Sequence, residues 1–205
     1  MLINDLDREL VDKVLHALQI TYSTDYFLIE NGCHELSIVA AFYHCFKNEY
    51  EAWFKSAYPE VSIDMEYSKM GEEMCAKLAP PNESGKKHIR IDFVIHKRKS
   101  QTQNLLAIEF KLDDRDKDIK WDYEKLRAIT VKCDEANQVR NYELGISILL
   151  KKDYVEMKYF KDGNDIEQDE SFKWLKGKFC KMESIDIVTS HIGRVNQRRS
   201  YVRKG

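Results

Sequence analysis

The chain has 205 residues, of which 43% are hydrophobic and 33% charged, and its formal net charge is −2. That length and balance suit one globular domain with a substantial core, without bulk positive charge to hold nucleic acid. No apolar run approaches the ~20 residues of a membrane span, and five scattered cysteines without a CxxC pair fit reduced thiols better than a disulfide frame or a zinc site.

The opening residues MLINDLDREL are polar and lack the charged-then-apolar pattern of a signal peptide, so a soluble cytoplasmic protein is expected. Asn4 or Asp5 caps a first helix whose apolar stripe is Leu6, Leu10, Val14, Leu15, Leu18 and Ile20. Residues 22–32 read as a connection ending in the turn-prone pair Asn31-Gly32. A second helix is predicted from about His34 to Ala57, striped by Ile38, Val39, Phe42, Cys45, Phe46, Tyr50, Trp53 and Phe54. Glu35 falls on that same face in the first turn, where an acid also suits the helix dipole.

Residues 61–67 (VSIDMEY) alternate as a strand, and residues 68–85 read as a short helix and a loop holding Pro80, Pro81 and Gly85. The stretch from His88 to Leu112 then reads as a β-hairpin. In its first arm Ile89, Ile91, Phe93 and Ile95 alternate with Arg90, Asp92, Val94 and His96. In its second, Leu106, Ile108, Phe110 and Leu112 alternate with Leu105, Ala107, Glu109 and Lys111. One face is therefore apolar, while Asp92, Glu109 and Lys111 share the other with Val94, Leu105 and Ala107, which suggests that this second face is covered too. With the turn centred near Ser100–Gln101, Val94 pairs with Ala107 and Asp92 with Glu109. Two carboxylates so opposed repel, and a chain that keeps them needs positive charge between them. Lys111 supplies one unit, and a hard divalent cation would supply the rest.

A third helix is predicted over about Ile119 to Asn137, facing inward through Tyr123, Leu126, Ile129, Thr130 and Cys133. Residues 144–150 (LGISILL) form an apolar run suited to a strand buried on both faces. Residues 154–160 read as another strand, 172–179 as a short helix and 185–188 as a late strand. The order helix, strand, strand, strand, helix, strand thus occupies the centre of the chain.

Asp92, a polar hairpin and then Glu109-Phe110-Lys111 resemble the PD-(D/E)XK signature of restriction-endonuclease-like nucleases, with Ile91 where the signature has proline. The resemblance spans roughly residues 33–152. It implies an α/β fold with an αβββαβ core, a mixed central sheet flanked by helices, preceded by an N-terminal helix and connection (1–32) and followed by C-terminal additions (153–205) in a single domain. It also implies a metal-dependent nuclease. Asp92 and Glu109 would be the central ligands to Mg²⁺ or Mn²⁺, with the Phe110 carbonyl as a neutral ligand, Glu35 as a third acid, and Lys111 stabilising transition-state charge. Asp122 and Lys125, one turn apart, either orient substrate or Lys111, or form an exposed helical ion pair worth ~0.3–0.5 kcal/mol.

The implied partner is nucleic acid, with DNA expected, and a homodimer or a partner protein is compatible with the pattern. Basic residues bracket the first hairpin arm, including Arg90, and Arg198 and Arg199 lie in a basic tail; all three are candidate phosphate contacts. No Gly-rich phosphate loop, GxSxG or HExxH is present. The alternative is a binding or partner-dependent module on the same fold, since a fold does not fix a function.

Overall fold

The computed structural model describes residues 3–68, 90–98, 103–112, 116–131 and 142–182. The first helix, α1 (Asp5–Thr24), starts at a reciprocal cap. Asn4 Oδ1 accepts from the Asp7 backbone N–H at 2.8 Å, and the Asp7 carboxylate accepts from the Asn4 N–H at 3.0 Å. The helix runs on past Ile20, where a connection is expected, because Tyr22 is buried and its hydroxyl donates to the Lys151 carbonyl at 2.7 Å. The hydroxyls of Thr21, Ser23 and Thr24 turn back onto carbonyls of the preceding turn rather than breaking it. A short α2 (Tyr26–Glu30) follows, so only the Asn31-Gly32 turn, with Gly32 at φ +58°, remains of the predicted loop. Then come α3 (Glu35–Ala57), β1 (Val61–Ser68), β2 (Arg90–Lys97), β3 (Asn104–Lys111), α4 (Asp116–Thr130), β4 (Tyr142–Leu150), β5 (Tyr154–Lys161), β6 (Asn164–Leu175) and β7 (Lys178–Lys181).

The strands form one sheet in sequence order from β1 to β7. Every neighbouring pair is antiparallel except β3 and β4, which are parallel and joined across α4. The molecule is therefore a mixed α/β fold, a large mixed sheet flanked by helices. On one face, α1 and α3 bury Val14, Leu18, Phe42 and Phe46 against Phe93, Ile108, Phe110 and Ile148. On the other, α4 lays Leu126 and Ile129 over Val94, Ala107 and Phe160, and Ile91 joins this second cluster. No helix among the described residues is long and apolar enough to cross a membrane.

Within the hairpin, Val94 stands opposite Ala107, as the placement of the turn requires. A β-bulge follows at Ile95/His96, so that His96 faces Asn104 and Leu105 drops out of the ladder. The extra residue rotates Leu105 into the α1/α3 core, so it does not cover the carboxylate face as alternation predicts. Val94 and Ala107 do.

Two expected helical stretches are also corrected. Residues 172–179 are not helical: they are the end of β6 and the start of β7, joined through Lys176 (φ +49°) and Gly177 (φ +83°), the two left-handed residues of a tight hairpin. Trp174 and Phe179 close over Tyr22 from the two sides of that hairpin. Helix α4 stops at Thr130 rather than near Asn137, and Val131 lies against the β5–β6 turn, its Cγ2 only 2.9 Å from where a Gly163 Cβ would stand. The readings for residues 68–85 (beyond Ser68), 132–137 and 185–188, and for Arg198 and Arg199, lie outside the described residues.

Candidate functional site

Four elements converge at one end of the β2–β3 pair. β2 brings Asp92, β3 brings Glu109 and Lys111, α3 brings Glu35 in its first turn, and α4 brings Asp122 and Lys125. The ladder between β2 and β3 extends from Asn104 to the Phe93–Ile108 pair; at the next residue the Asp92 side chain takes over and accepts the Phe110 backbone N–H at 2.9 Å. The expected Asp92–Glu109 pair is therefore not part of the ladder, although the two carboxylates lie near enough for Asp92 to act on Glu109.

Helix α4 reaches this place because β4 has glycine beneath it. A Cβ on Gly145 would lie 3.1 Å from Thr130 Cγ2 and 3.4 Å from Leu126 Cδ2, so the helix rests almost directly on the strand. The spacing of Asp122, Lys125, Leu126 and Ile129 then puts all four on the sheet-facing side. Asp122 and Lys125 are buried, not the exposed pair that is one of the two sequence readings.

The charges form a chain. Lys125 Nζ lies 2.6 Å from Glu109 Oε1 and 2.7 Å from Asp122 Oδ1; Lys111 Nζ lies 3.1 Å from Asp122 Oδ2 and 3.2 Å from Glu35 Oε1. Asp122 therefore separates the two ammonium groups and holds both. Glu109 Oε1 and Asp122 Oδ2 are buried, and among the described residues only these ammonium groups reach them. The chain runs from inside to outside. Glu109 is 1% exposed and Lys125 8%, whereas the side chains of Lys111 and Glu35 are 20% and 31% exposed. The cluster thus opens toward solvent at Glu35, Lys111 and the half-buried Asp92.

Burial pushes the Glu109 carboxyl well above the usual range; Lys125 opposes this, while Asp92 and Asp122 add to it. The same order of causes raises Glu35, with Lys111 opposing. For the lysines burial acts the other way and is overridden. Asp122 and Glu35 hold Lys111 above its ordinary value, and Glu109 and Asp122 do the same for Lys125. Both lysines are ammonium ions at neutral pH. Four carboxyl groups face two ammonium groups, leaving the cluster short of positive charge when all four are ionised.

Among the described residues, no three carboxylate, imidazole or thiol groups are gathered into a ready-made ion cage; the acids are drawn to the lysines instead. Arg90 lies exposed at the start of β2, two residues from Asp92 on the same side of the strand. His34 caps α3, its Nδ1 accepting from the Leu36 N–H. His96 is fully buried at the far end of the hairpin, 3.0 Å from Asp64. The direct contact between Lys125 and Glu109 is the feature that sequence alone does not reveal, since periodicity gives a helix face but not the depth at which it docks. Compared with protein-family models, curated proteins and solved structures, the chain matches none.

Proposed function

We propose that this protein is a metal-dependent nuclease of the PD-(D/E)XK type, hydrolysing phosphodiester bonds, with DNA as the expected substrate. The observation that carries the reading is the meeting of Glu35, Asp92, Glu109 and Lys111, drawn from separate elements, in one partly open cluster. The sequence resemblance and the element order α3-β1-β2-β3-α4-β4, with β3 and β4 parallel, support an αβββαβ core of that class.

The donor set suits a divalent cation. Its oxygens are hard, the Glu109 carboxylate is buried with a lysine as its close partner, and the cluster is short of positive charge. Asp92, Glu109, the Phe110 carbonyl and Glu35 would hold Mg²⁺ or Mn²⁺, which when bound supplies an acidified water and a Lewis acid toward a phosphoryl oxygen. Hydrolysis forms one bond from a water oxygen to phosphorus and breaks one bond to the leaving oxygen, which takes a proton. Lys111, steadied between Glu35 and Asp122 and firmly protonated, faces the open side and offsets negative charge growing on the phosphoryl oxygens. It does not serve as the base. Arg90, exposed two residues before Asp92, is the candidate contact to a flanking phosphate.

One observation favours a second reading. Lys125 and Lys111 already engage three of the four acids, as in a structural charge network that fastens α4 and α3 to the sheet of a binding module. Thermal melting with and without Mg²⁺ or Mn²⁺ separates the two. A nuclease site gains stability from the ion by mass action, about 2.7 kcal/mol at a hundred times the dissociation constant, and Asp92→Asn abolishes the gain. An unchanged melting temperature in the native chain speaks for the binding module.

A further inference from the structure

We infer that Lys125 is a built-in counter-ion that competes with the divalent cation for Glu109, and so sets how tightly this chain takes its metal. The inference rests on the nuclease reading above and concerns a residue to which that reading gives no step.

Lys125 Nζ sits 2.6 Å from Glu109 Oε1, and the side chain of Glu109 is almost wholly buried. An ammonium ion at that distance occupies the space in front of the oxygen that a metal ion would need, and two cations cannot share it without strong repulsion. The second anchor of Lys125, Asp122 Oδ1 at 2.7 Å, lies on its own helix and offers somewhere for the ammonium to remain when Glu109 is given up. Helix α4 stays in place as a whole, because Leu126 and Ile129 on the same helix are buried against Val94, Ala107 and Phe160. The exchange is therefore a side-chain movement: Lys125 leaves Glu109 and stays with Asp122. When no divalent cation is bound, the lysine spares Glu109 a buried, unpaired charge. When one is bound, the lysine is a like charge beside it.

Removing the charge at position 125 should therefore do two things that a merely structural lysine would not do together. The melting temperature without metal falls, because Glu109 loses its partner. The affinity for metal rises by about tenfold or more, as a unit positive charge a few ångströms from the ion is removed. The experiment is calorimetric titration of Mg²⁺ and Mn²⁺ into the full chain, as wild type, Lys125→Met, Lys125→Gln and Asp92→Asn, with melting curves alongside. The expected result is tighter binding in both Lys125 variants and a larger metal-induced rise in melting temperature than in wild type. Unchanged or weaker affinity in folded Lys125 variants overturns the inference. If neither variant folds without metal, recovery of the native circular dichroism on adding Mn²⁺ supports it, and failure to recover counts against it. Wild type that binds metal through Asp92, with Lys125 variants no tighter, sinks only this inference; no divalent binding in any protein sinks the metal site and the inference together.

Discussion

In the proposed nuclease the chemistry turns on Lys111, and its neighbours define what it can do. Glu35 and Asp122 grip the ammonium from two sides and keep it charged, so its contribution is electrostatic. Lys111→Ala is expected to lower cleavage by about 10²–10³-fold, the range seen when one preorganised charge stabiliser is removed, while metal affinity measured by titration is not weakened. A parallel loss of metal binding would mean that Lys111 organises the ligands instead. That Glu35 and Lys111 meet beside Asp92 and Glu109 is legible in the amino-acid sequence from the helical period of α3 and the hairpin pattern, although alternation in the hairpin fails at Leu105 and Ile91. Asp122 and Lys125 are only half legible. Their spacing allows a surface pair or an inward one, and what decides is the absence of a side chain at Gly145, on a strand that follows α4 in sequence.

At the level of elements, the same glycine makes a prediction. Gly145→Val places a branched side chain where Thr130, Phe160 and Leu126 already lie within 3.1–3.4 Å of a single added carbon. Overpacking of this kind costs about 1–3 kcal/mol, and it lifts the part of α4 that carries Lys125. Denaturant unfolding should show the lost stability, and cleavage should fall with it although no charged residue has changed. Retained cleavage in a destabilised variant would show that the docking of α4 does not position the site. The elements misread from sequence share one cause, tertiary contact overriding local pattern. Phe172, Leu175 and Phe179 have the i, i+3, i+7 spacing of a helical stripe, yet Lys176-Gly177 supplies a hairpin turn and the rings of Trp174 and Phe179 close on Tyr22 from two strands. Thr21, Ser23 and Thr24 look like helix breakers, yet their hydroxyls are absorbed by the preceding turn while Tyr22 is drawn into the core.

Across the whole molecule, the hairpin carries a charge cluster at each end, and only one of them opens to solvent through acids and a lysine. At the other end Asp64 accepts from Arg98 Nε at 2.8 Å and lies 3.0 Å from the fully buried His96. Burial alone would raise the Asp64 carboxyl, but Arg98 and His96 together hold it well below the usual carboxylate range. A carboxyl whose value is lower in the folded than in the unfolded chain adds stability above the unfolded value, near 3.9, and loses it as pH falls through the folded value. Asp64→Asn should thus cost about 1–3 kcal/mol near pH 7, with the gap to wild type narrowing below about pH 4. Urea unfolding at pH 7, 5 and 3 checks this, and a gap independent of pH would mean that the ionised carboxylate is not what holds the cluster.

The central claim is that the open cluster hydrolyses nucleic acid, and cleavage of labelled duplex DNA, single-stranded DNA and RNA with Mg²⁺, Mn²⁺ or EDTA tests it most directly. Wild type runs beside Asp92→Ala and Lys111→Ala. The expected result is cleavage, of duplex DNA first, that EDTA stops and both substitutions remove. Metal-independent cleavage, cleavage that survives in both variants, or a wild-type chain that neither cuts any substrate nor binds a divalent cation would contradict it.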